Sequence, residues 1–282
     1  MSAVPEISIV TPSFEMLPYL KRAVRSVADQ AGVRVEHLVM DGGSGDGSAE
    51  WLEEQPGIVS VSEKDRGMYD ALNKGFRRAR AGLVGYLNCD EQYLPGALAR
   101  VRDFFQAHPE VDLVFGDAVL VRPDGSPIAV QKGYPLRWQY VLTGHLYAYS
   151  CALFLRANAL RDAGYFDVRY RDLGDADLVV RLLRQGRRAA HLPAYLGVFT
   201  LTGSNRSAGE NAREERERAL ERAPGWVRRW SRVLNLARRF EKLRAGAYRE
   251  KGTLAYAIYD SEEAPLRRGF EISGASGVWR PD

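Results

Sequence analysis

Cysteine is nearly absent. Two residues, Cys89 and Cys151, serve a chain of 282, which excludes a disulfide framework and argues against a cysteine-based zinc site. Long apolar runs are missing too: no uninterrupted stretch approaches the roughly 20 residues that cross a bilayer. Residues 1–6 lack the basic region and apolar stretch of a signal peptide, so a cytoplasmic enzyme is expected. No basic patch with interleaved aromatics lies near the acidic loops described below, and nucleic acid is not an expected partner. Internal repeats and low-complexity segments are absent.

What is present is an ordinary globular composition, 45% hydrophobic. That suffices for one large domain, or one domain with an appendage. The net charge of +4 is unevenly spread. Residues 205–282 hold 17 Lys/Arg against 12 Asp/Glu, so the whole basic excess lies there. The expected organisation is a domain over 1–204, with halves 1–110 and 111–204, and a basic helical extension over 205–282.

The first half alternates strands and helices. Ile7-Ser8-Ile9-Val10-Thr11 is apolar and β-branched, is ended by Pro12, and reads as a buried strand. Leu17, Leu20, Val24 and Val27 follow at helical spacing, predicting a helix over 17–30. Further strands are predicted over 33–40, 58–62 and 83–87. Further helices are predicted around 50–54, capped by Ser48, over 69–81 and over 94–107. This order implies a parallel sheet covered by helices on both faces. Ligands of such sheets bind outside the carboxyl ends of the strands. The polar clusters fall at those ends: Pro12-Ser13-Phe14-Glu15, residues 41–48, residues 63–67 and Asn88-Cys89-Asp90-Glu91. The second half is mixed. Residues 111–121 and 128–131 flank a hairpin turn at Pro123-Asp124-Gly125-Ser126. Strands over 147–155 and 195–201 and a helix over 175–185 complete it.

Asp90 and Glu91 are adjacent acids at the end of a buried strand, and they repel unless a positive charge lies beside them. Oxygen ligands of this kind suit Mg²⁺ or Mn²⁺ bridging a diphosphate. Acids that favour the start of the following helix are the plainer alternative. The loop Asp41-Gly42-Gly43-Ser44-Gly45-Asp46-Gly47-Ser48 carries no lysine of a Walker loop and is not the dinucleotide G-x-G-x-x-G. It holds an Asp rigidly at a strand end, or is simply a turn in which Asp and Gly supply unusual backbone angles.

Over residues 7–207 the chain resembles the family-2 inverting glycosyltransferases with the GT-A fold, notably the bacterial cell-surface polysaccharide type. Residues 41–48 resemble that family's D-G-x-S-x-D-x-S/T motif. Residues 62–75, Ser62-Glu63-Lys64-Asp65-Arg66-Gly67-Met68-Tyr69-Asp70-Ala71-Leu72-Asn73-Lys74-Gly75, are similar to its S-E-x-D-x-G-x-Y-D-A-x-N-K-G segment. Residues 85–91 are similar to its G-x-L-N-x-D-D motif, and residues 174–182 to the segment carrying its base. The resemblance implies a Rossmann-like, mostly parallel sheet and transfer of a sugar from a nucleotide-sugar, a UDP-sugar first, to a saccharide or lipid-linked saccharide. It implies a donor site including Thr11, Pro12, Ser13, Glu15, Asp41, Asp65, Gly67, Asn73, Asn88 and Cys89. It also implies Mn²⁺ or Mg²⁺ on Asp90 and Glu91, and Asp175 as catalytic base, with Asp177 ranked second. Inversion needs a base across the site from the metal, and a carboxylate suffices. Two positions depart from the pattern. Glu91 stands where the family has Asp, and Gly174 where many relatives have Glu. A non-catalytic nucleotide-sugar-binding protein and a sugar nucleotidyltransferase are the alternatives. The latter lacks the basic, glycine-rich loop it would need after the first strand.

His145 and His191 read as structural histidines, and Cys89 and Cys151 as small buried residues. In the tail, Trp226, Trp230, Val233, Ala237 and Phe240 share a helical face, with seven Lys/Arg and one acid over 226–244. Such a helix either packs its stripe on the domain or lies in an anionic membrane interface. The second case would put the enzyme at the inner face of the cell membrane. Residues 211–222 read as an exposed charged helix.

Overall fold

A computed structural model describes residues 4–203 and 209–275. In chain order the elements of the first half are β1 (Ile7–Ser13), α1 (Leu17–Ala28), β2 (Val35–Asp41), α2 (Ser48–Glu53), β3 (Ile58–Ser62), α3 (Met68–Arg78), β4 (Leu83–Tyr86), β5 (Gln92–Tyr93) and α4 (Ala97–Ala107). The second half adds β6 (Leu113–Val121), β7 (Pro127–Gln131), α5 (Trp138–Thr143), β8 (Leu153–Arg156), α6 (Ala157–Asp162), α7 (Gly174–Arg184) and β9 (Ala189–Thr200). The extension holds α8 (Glu210–Glu221), α9 (Gly225–Arg229), α10 (Ser231–Arg244), β10 (Thr253–Ile258) and β11 (Arg268–Ser273).

The main sheet runs β3-β2-β1-β4-β8-β6-β9-β5, with β7 beside β6. The first four strands are mutually parallel. β8 joins them antiparallel, and the β6–β9 pair is parallel again. Side chains alternate across a strand, and β1 shows the result. Ile7 and Ile9 enter one core with Ala23, Val27, Leu98 and Phe105 of α1 and α4. Val10 points the other way, into a core with Leu72, Phe76 and Leu178 of α3 and α7. A strand covered on both faces is buried throughout, and β1 is buried at every residue, with the Ser8 and Thr11 hydroxyls hydrogen-bonded to Glu36 and His37. Each of its Ile and Val side chains contributes about 1.5–3 kcal/mol relative to exposure.

Several boundaries move. The helix expected from residue 94 begins at Ala97. The preceding residues pair with β9 instead, and Gly96 turns the chain. The strand expected over 147–155 is extended only over Leu153–Arg156 and follows a 3-10 turn at Ser150–Ala152. The late strand starts at Ala189, because β6 offers it a parallel partner from Leu113 onward. Ser48 is the first residue of α2 rather than its cap, and its N–H and hydroxyl both donate to Asp46 Oδ1. The extension is helical only to Arg244. Beyond it, β10 and β11 form an antiparallel hairpin whose Tyr256 and Ile258 pack on Leu94, Val119, Val121 and Val198. Arg267 pairs with Asp29 at 2.6 Å, and Lys21 with Glu262 at 2.8 Å, so the hairpin is tied back to α1. Among the described residues no helix is long and apolar enough to cross a membrane.

Candidate active site

The register of the parallel strands aligns their polar ends. Ser13 lies beside Asp41, and Asp41 beside Ser62, on three neighbouring strands. Asp41 is almost fully buried, so its charge must be satisfied by hydrogen bonds. Oδ2 accepts from the N–H groups of Gly43 and Ser44 and from the Ser62 hydroxyl at 2.5 Å, and Oδ1 from the Ser44 hydroxyl. The glycine-rich loop is therefore folded around Asp41. A second latch joins it to the loop after β1. Glu15 carries a positive φ of 53°, donates its N–H to Ser44 Oγ and accepts from Gly45 N–H at 2.8 Å.

Asp65 closes the same corner. Its Oδ1 accepts from Gly67 N–H at 2.7 Å, and its Oδ2 lies 2.9 Å from where a side chain at Gly42 would begin. Phe14 borders that spot too, with its ring 60% exposed. A larger residue at position 42 would displace the Asp65 carboxylate and the Phe14 ring. An exposed aromatic face beside a carboxylate oxygen is suited to a planar, hydrogen-bonding ligand.

Other expected donor residues lie deeper. Thr11 hydrogen-bonds buried His37 at 2.9 Å, and burial holds that imidazole down to about 3, hence neutral. Pro12 is buried in β1. Asn73 pairs its amide with the Phe166 backbone in both directions, tying α3 to the chain after α6. Cys89 packs among Leu20, Val24, Val39 and Leu52, and burial pushes its thiol far up.

Asp90 and Glu91 part company. Glu91 is 1% exposed and turns inward. It accepts from Asn88 N–H at 3.0 Å, from Asn88 Nδ2 at 3.2 Å and from the Ser150 hydroxyl. The Asp90 carboxylate has no side-chain hydrogen-bond donor among the described residues, and Arg22 is the cation that bears on it. Burial pushes both acids up, and the charge of Asp90 pushes Glu91 further. Asn88 Oδ1 is buried beside them with no donor. Two desolvated acids and an orphaned acceptor make a site short of positive charge. No group of three His, Cys, Asp or Glu forms a cage among the described residues. The donor set therefore fits a hard cation held mainly by Asp90 and completed by phosphates and water, as Mg²⁺ and Mn²⁺ commonly are.

Asp175 sits in the first turn of α7. Its Oδ1 accepts from Ala176 N–H at 2.7 Å, and the Tyr69 hydroxyl lies 3.4 Å from its N–H. Burial raises its carboxyl to about 6, and Glu215 adds to the rise. It remains partly open, on a cavity of about 890 Å³. Ser150, the partner of Glu91, lines the same cavity. Asp177 is paired with Arg181 at 2.7 Å, so Asp175 is the better placed acid. At Gly174, a side chain would begin 2.7 Å from the Tyr69 ring. The tyrosine occupies the space that an acid there would need.

The residue pattern missed Glu215. It is 4% exposed and reaches from α8 to accept the N–H groups of Arg171, Asp172 and Leu173 at 2.7, 3.1 and 2.9 Å. It thus holds the segment that leads into α7, and the expectation of an exposed charged helix is corrected at this position. Only Ala212, one turn earlier and also buried, hints at the inward face.

His191 bonds Asp117 at 2.7 Å, a structural role as expected. In α10, Leu234 and Ala237 pack on Tyr134, Tyr140 and Tyr147, while Trp226, Trp230, Val233, Leu236, Phe240 and Leu243 are 47–67% exposed. One face of the tail packs and a second, apolar one does not. Ala237 belongs to the packed face, not to the exposed stripe.

Known proteins share this architecture. The family model for glycosyl transferase family 2 matches residues 8–164. A PGL/p-HBAD biosynthesis glycosyltransferase of Mycobacterium bovis is 28% identical over 259 residues, covering 83% of this chain and 94% of its own. Residues 1–349 of TarS from S. aureus, in complex with UDP-GlcNAc, superpose with a TM-score of 0.61 at 14% identity, covering 94% of this chain and 99% of that one. A mannosyltransferase from Pyrobaculum calidifontis, in complex with GDP-Man and Mn²⁺, gives 0.55 at 19% identity, covering 87% and 79%. These two structures agree in fold with the sheet described above, and the family model spans more than half the chain. The chain belongs to glycosyl transferase family 2, has the GT-A fold, and is a glycosyltransferase.

Proposed function

We propose that the enzyme transfers a sugar, with inversion, from a nucleotide-sugar donor to a hydroxyl of a saccharide or lipid-linked saccharide during cell-surface glycan assembly. The observation that carries this reading is the cavity joining Asp175 to Ser150, and through Ser150 to the carboxylates at the end of β4. It supports a base and a diphosphate site facing each other across the reacting carbon.

The donor nucleotide, a UDP-sugar first, lies along the carboxyl ends of β1, β2 and β3. Phe14 stacks on the base and Asp65 Oδ2 accepts from it. Asp41 shapes the loop around the nucleotide, with Ser13, Glu15 and Gly67 at its border and Asn88 toward the ribose. Asp90 holds Mn²⁺ or Mg²⁺, with Glu91 as an inner support that orients Asn88. When bound, the metal offsets negative charge on the departing diphosphate. Asp175 takes the acceptor hydroxyl proton as the new C–O bond forms and the bond to phosphate breaks. The reaction needs Asp175 ionised, so transfer is present above about pH 6 and lost as pH falls through it.

The exposed tryptophans and leucines of α9 and α10, interspersed with Arg228, Arg229, Arg232, Arg239 and Arg244, support peripheral contact with an anionic membrane. The decisive experiment is Mn²⁺-dependent release of nucleoside diphosphate from UDP-sugars by the purified chain. No release from UDP-, GDP-, dTDP- or CMP-sugars would leave a donor-binding protein without chemistry.

A further inference from the structure

Tyr69 reaches Asp175 from an element of the proposed donor side. It lies in the first turn of α3, four residues after Asp65, and is 2% exposed. A tyrosine this deep needs a partner for its hydroxyl, and the partner is the start of α7. The oxygen accepts from Asp175 N–H at 3.4 Å. Burial pushes that hydroxyl well up, so it keeps its proton. Burial is also what raises the Asp175 carboxyl, and a hydrogen bond from Tyr69 is among the contacts that oppose the rise. The first N–H groups of a helix have no partner within it, and Leu173 offers α7 no side-chain cap. The segment is held instead from outside, by Glu215 at residues 171–173 and by Tyr69 at Asp175. The tyrosine ring is fixed separately from its hydroxyl. It stacks on Phe166 with centroids 5.1 Å apart, and Asn73, one turn along α3, bonds the Phe166 backbone at 2.8 and 3.0 Å. At the other end of that turn, Gly67 N–H donates to Asp65. A single turn of α3 thus touches the loop of the proposed nucleotide site and the acid proposed as base.

We propose that Tyr69 is a positioning residue for the base, its hydroxyl fixing the backbone and carboxylate of Asp175 so that the acid meets the acceptor hydroxyl. The role rests on Asp175 being the base; the contacts do not. Tyr69 takes no proton from substrate. It limits where the carboxylate can sit, while Asp175 removes the proton and the nucleoside diphosphate leaves with the electron pair of the broken bond. Placement of this kind matters because an offset of about 1 Å between reacting groups can cost about 100-fold in rate. One neutral hydrogen bond is worth a factor of about 3 to 10.

A double-mutant cycle on the full chain tests the role. Nucleoside diphosphate release with Mn²⁺ is measured on whichever UDP-, GDP-, dTDP- or CMP-sugar the wild type cleaves fastest, with water in place of the acceptor hydroxyl. Tyr69→Phe keeps the ring on Phe166 and deletes only the hydroxyl. It should lower kcat by about 3-fold to 10-fold and leave the donor KM within about 2-fold. Asp175→Asn should lower kcat by about 100-fold or more. In the Asp175→Asn background, Tyr69→Phe should cost nothing further, because a group that acts through the carboxylate has nothing left to position. Melting temperatures show that each variant is folded. If Tyr69→Phe does not fold, Gly174→Ala carries the cycle, since its side chain would begin 2.7 Å from the Tyr69 ring and displace it. An unchanged kcat in the single variant overturns the proposal, and so does an equal loss in both backgrounds, which would make the hydroxyl a structural contact. Both results leave Asp175 as base. Full activity of Asp175→Asn, or no release by the wild type from any donor, would end the base reading and this role with it.

Discussion

The two sides of the cleft are built differently. On the proposed donor side three carboxylates are engaged close to home. Asp41 folds its own loop, Asp46 starts α2, and Asp65 turns the chain into α3. On the proposed acceptor side the groups around Asp175 come from far apart. Tyr69 fills the space beside Gly174, and Glu215 holds residues 171–173 from a helix beyond residue 209. Short-range turns shape much of the first side. The second exists only once the C-terminal extension has packed.

Substitutions can break that contrast, beginning with the largest effect. Asp90→Ala should reduce both donor hydrolysis and transfer by about 1,000-fold or more, because it removes the ligand for charge on the leaving group; a nucleoside diphosphate assay reads both. Asp175→Asn should separate the two sides. Transfer falls by about 10²–10⁴-fold, while donor affinity by calorimetry holds. A collapse of donor affinity would move Asp175 to the donor site. Gly174→Glu, which restores the acid seen in many relatives, should clash with Tyr69 and destabilise the fold by about 1–3 kcal/mol in thermal melts.

Glu215→Gln should act more gently. The amide oxygen can still accept from the 171–173 backbone, but the charge that helps to raise Asp175 is gone. The acid limb of the pH–rate profile should therefore move to lower pH, with transfer reduced about 10-fold or less. An unmoved limb would leave Glu215 a purely structural cap. The smallest effect is expected outside the cleft. Trp230→Ala with Phe240→Ala should weaken binding to anionic liposomes by about 5-fold to 10-fold and leave donor hydrolysis alone. Equal partitioning would remove the membrane contact.

Most of the parallel half was legible in the residues. Alternating apolar runs and glycine-rich stops placed β1 to β4, and the polar clusters fell at their carboxyl ends. Asp90 and Asp175 stood out as acids at an element's edge. Their neighbours did not. Nothing in the spacing distinguishes the inward Glu91 from the less engaged Asp90 one residue earlier. The mixed charges of α8 conceal a buried Glu215. In α10 two apolar stripes compete, and periodicity alone cannot say that Leu234 and Ala237 pack while Leu236 and Leu243 face solvent. The hairpin Thr253–Ile258 with Arg268–Ser273 was also missed, because its six-residue strands gain their burial from β6 and β9.

The sequence by itself determined the family, the order of the first four strands and helices, and which loops carry acids. Those properties depend on side-chain period, turn residues and motif, all acting within about ten residues. Only the tertiary structure decided which acid is left less engaged, which is a brace, and which cations share a cavity with Asp175. Those outcomes depend on packing between segments 40 to 170 residues apart, such as Arg171 with Glu215 and Gln92 with Tyr259, and no local pattern encodes them.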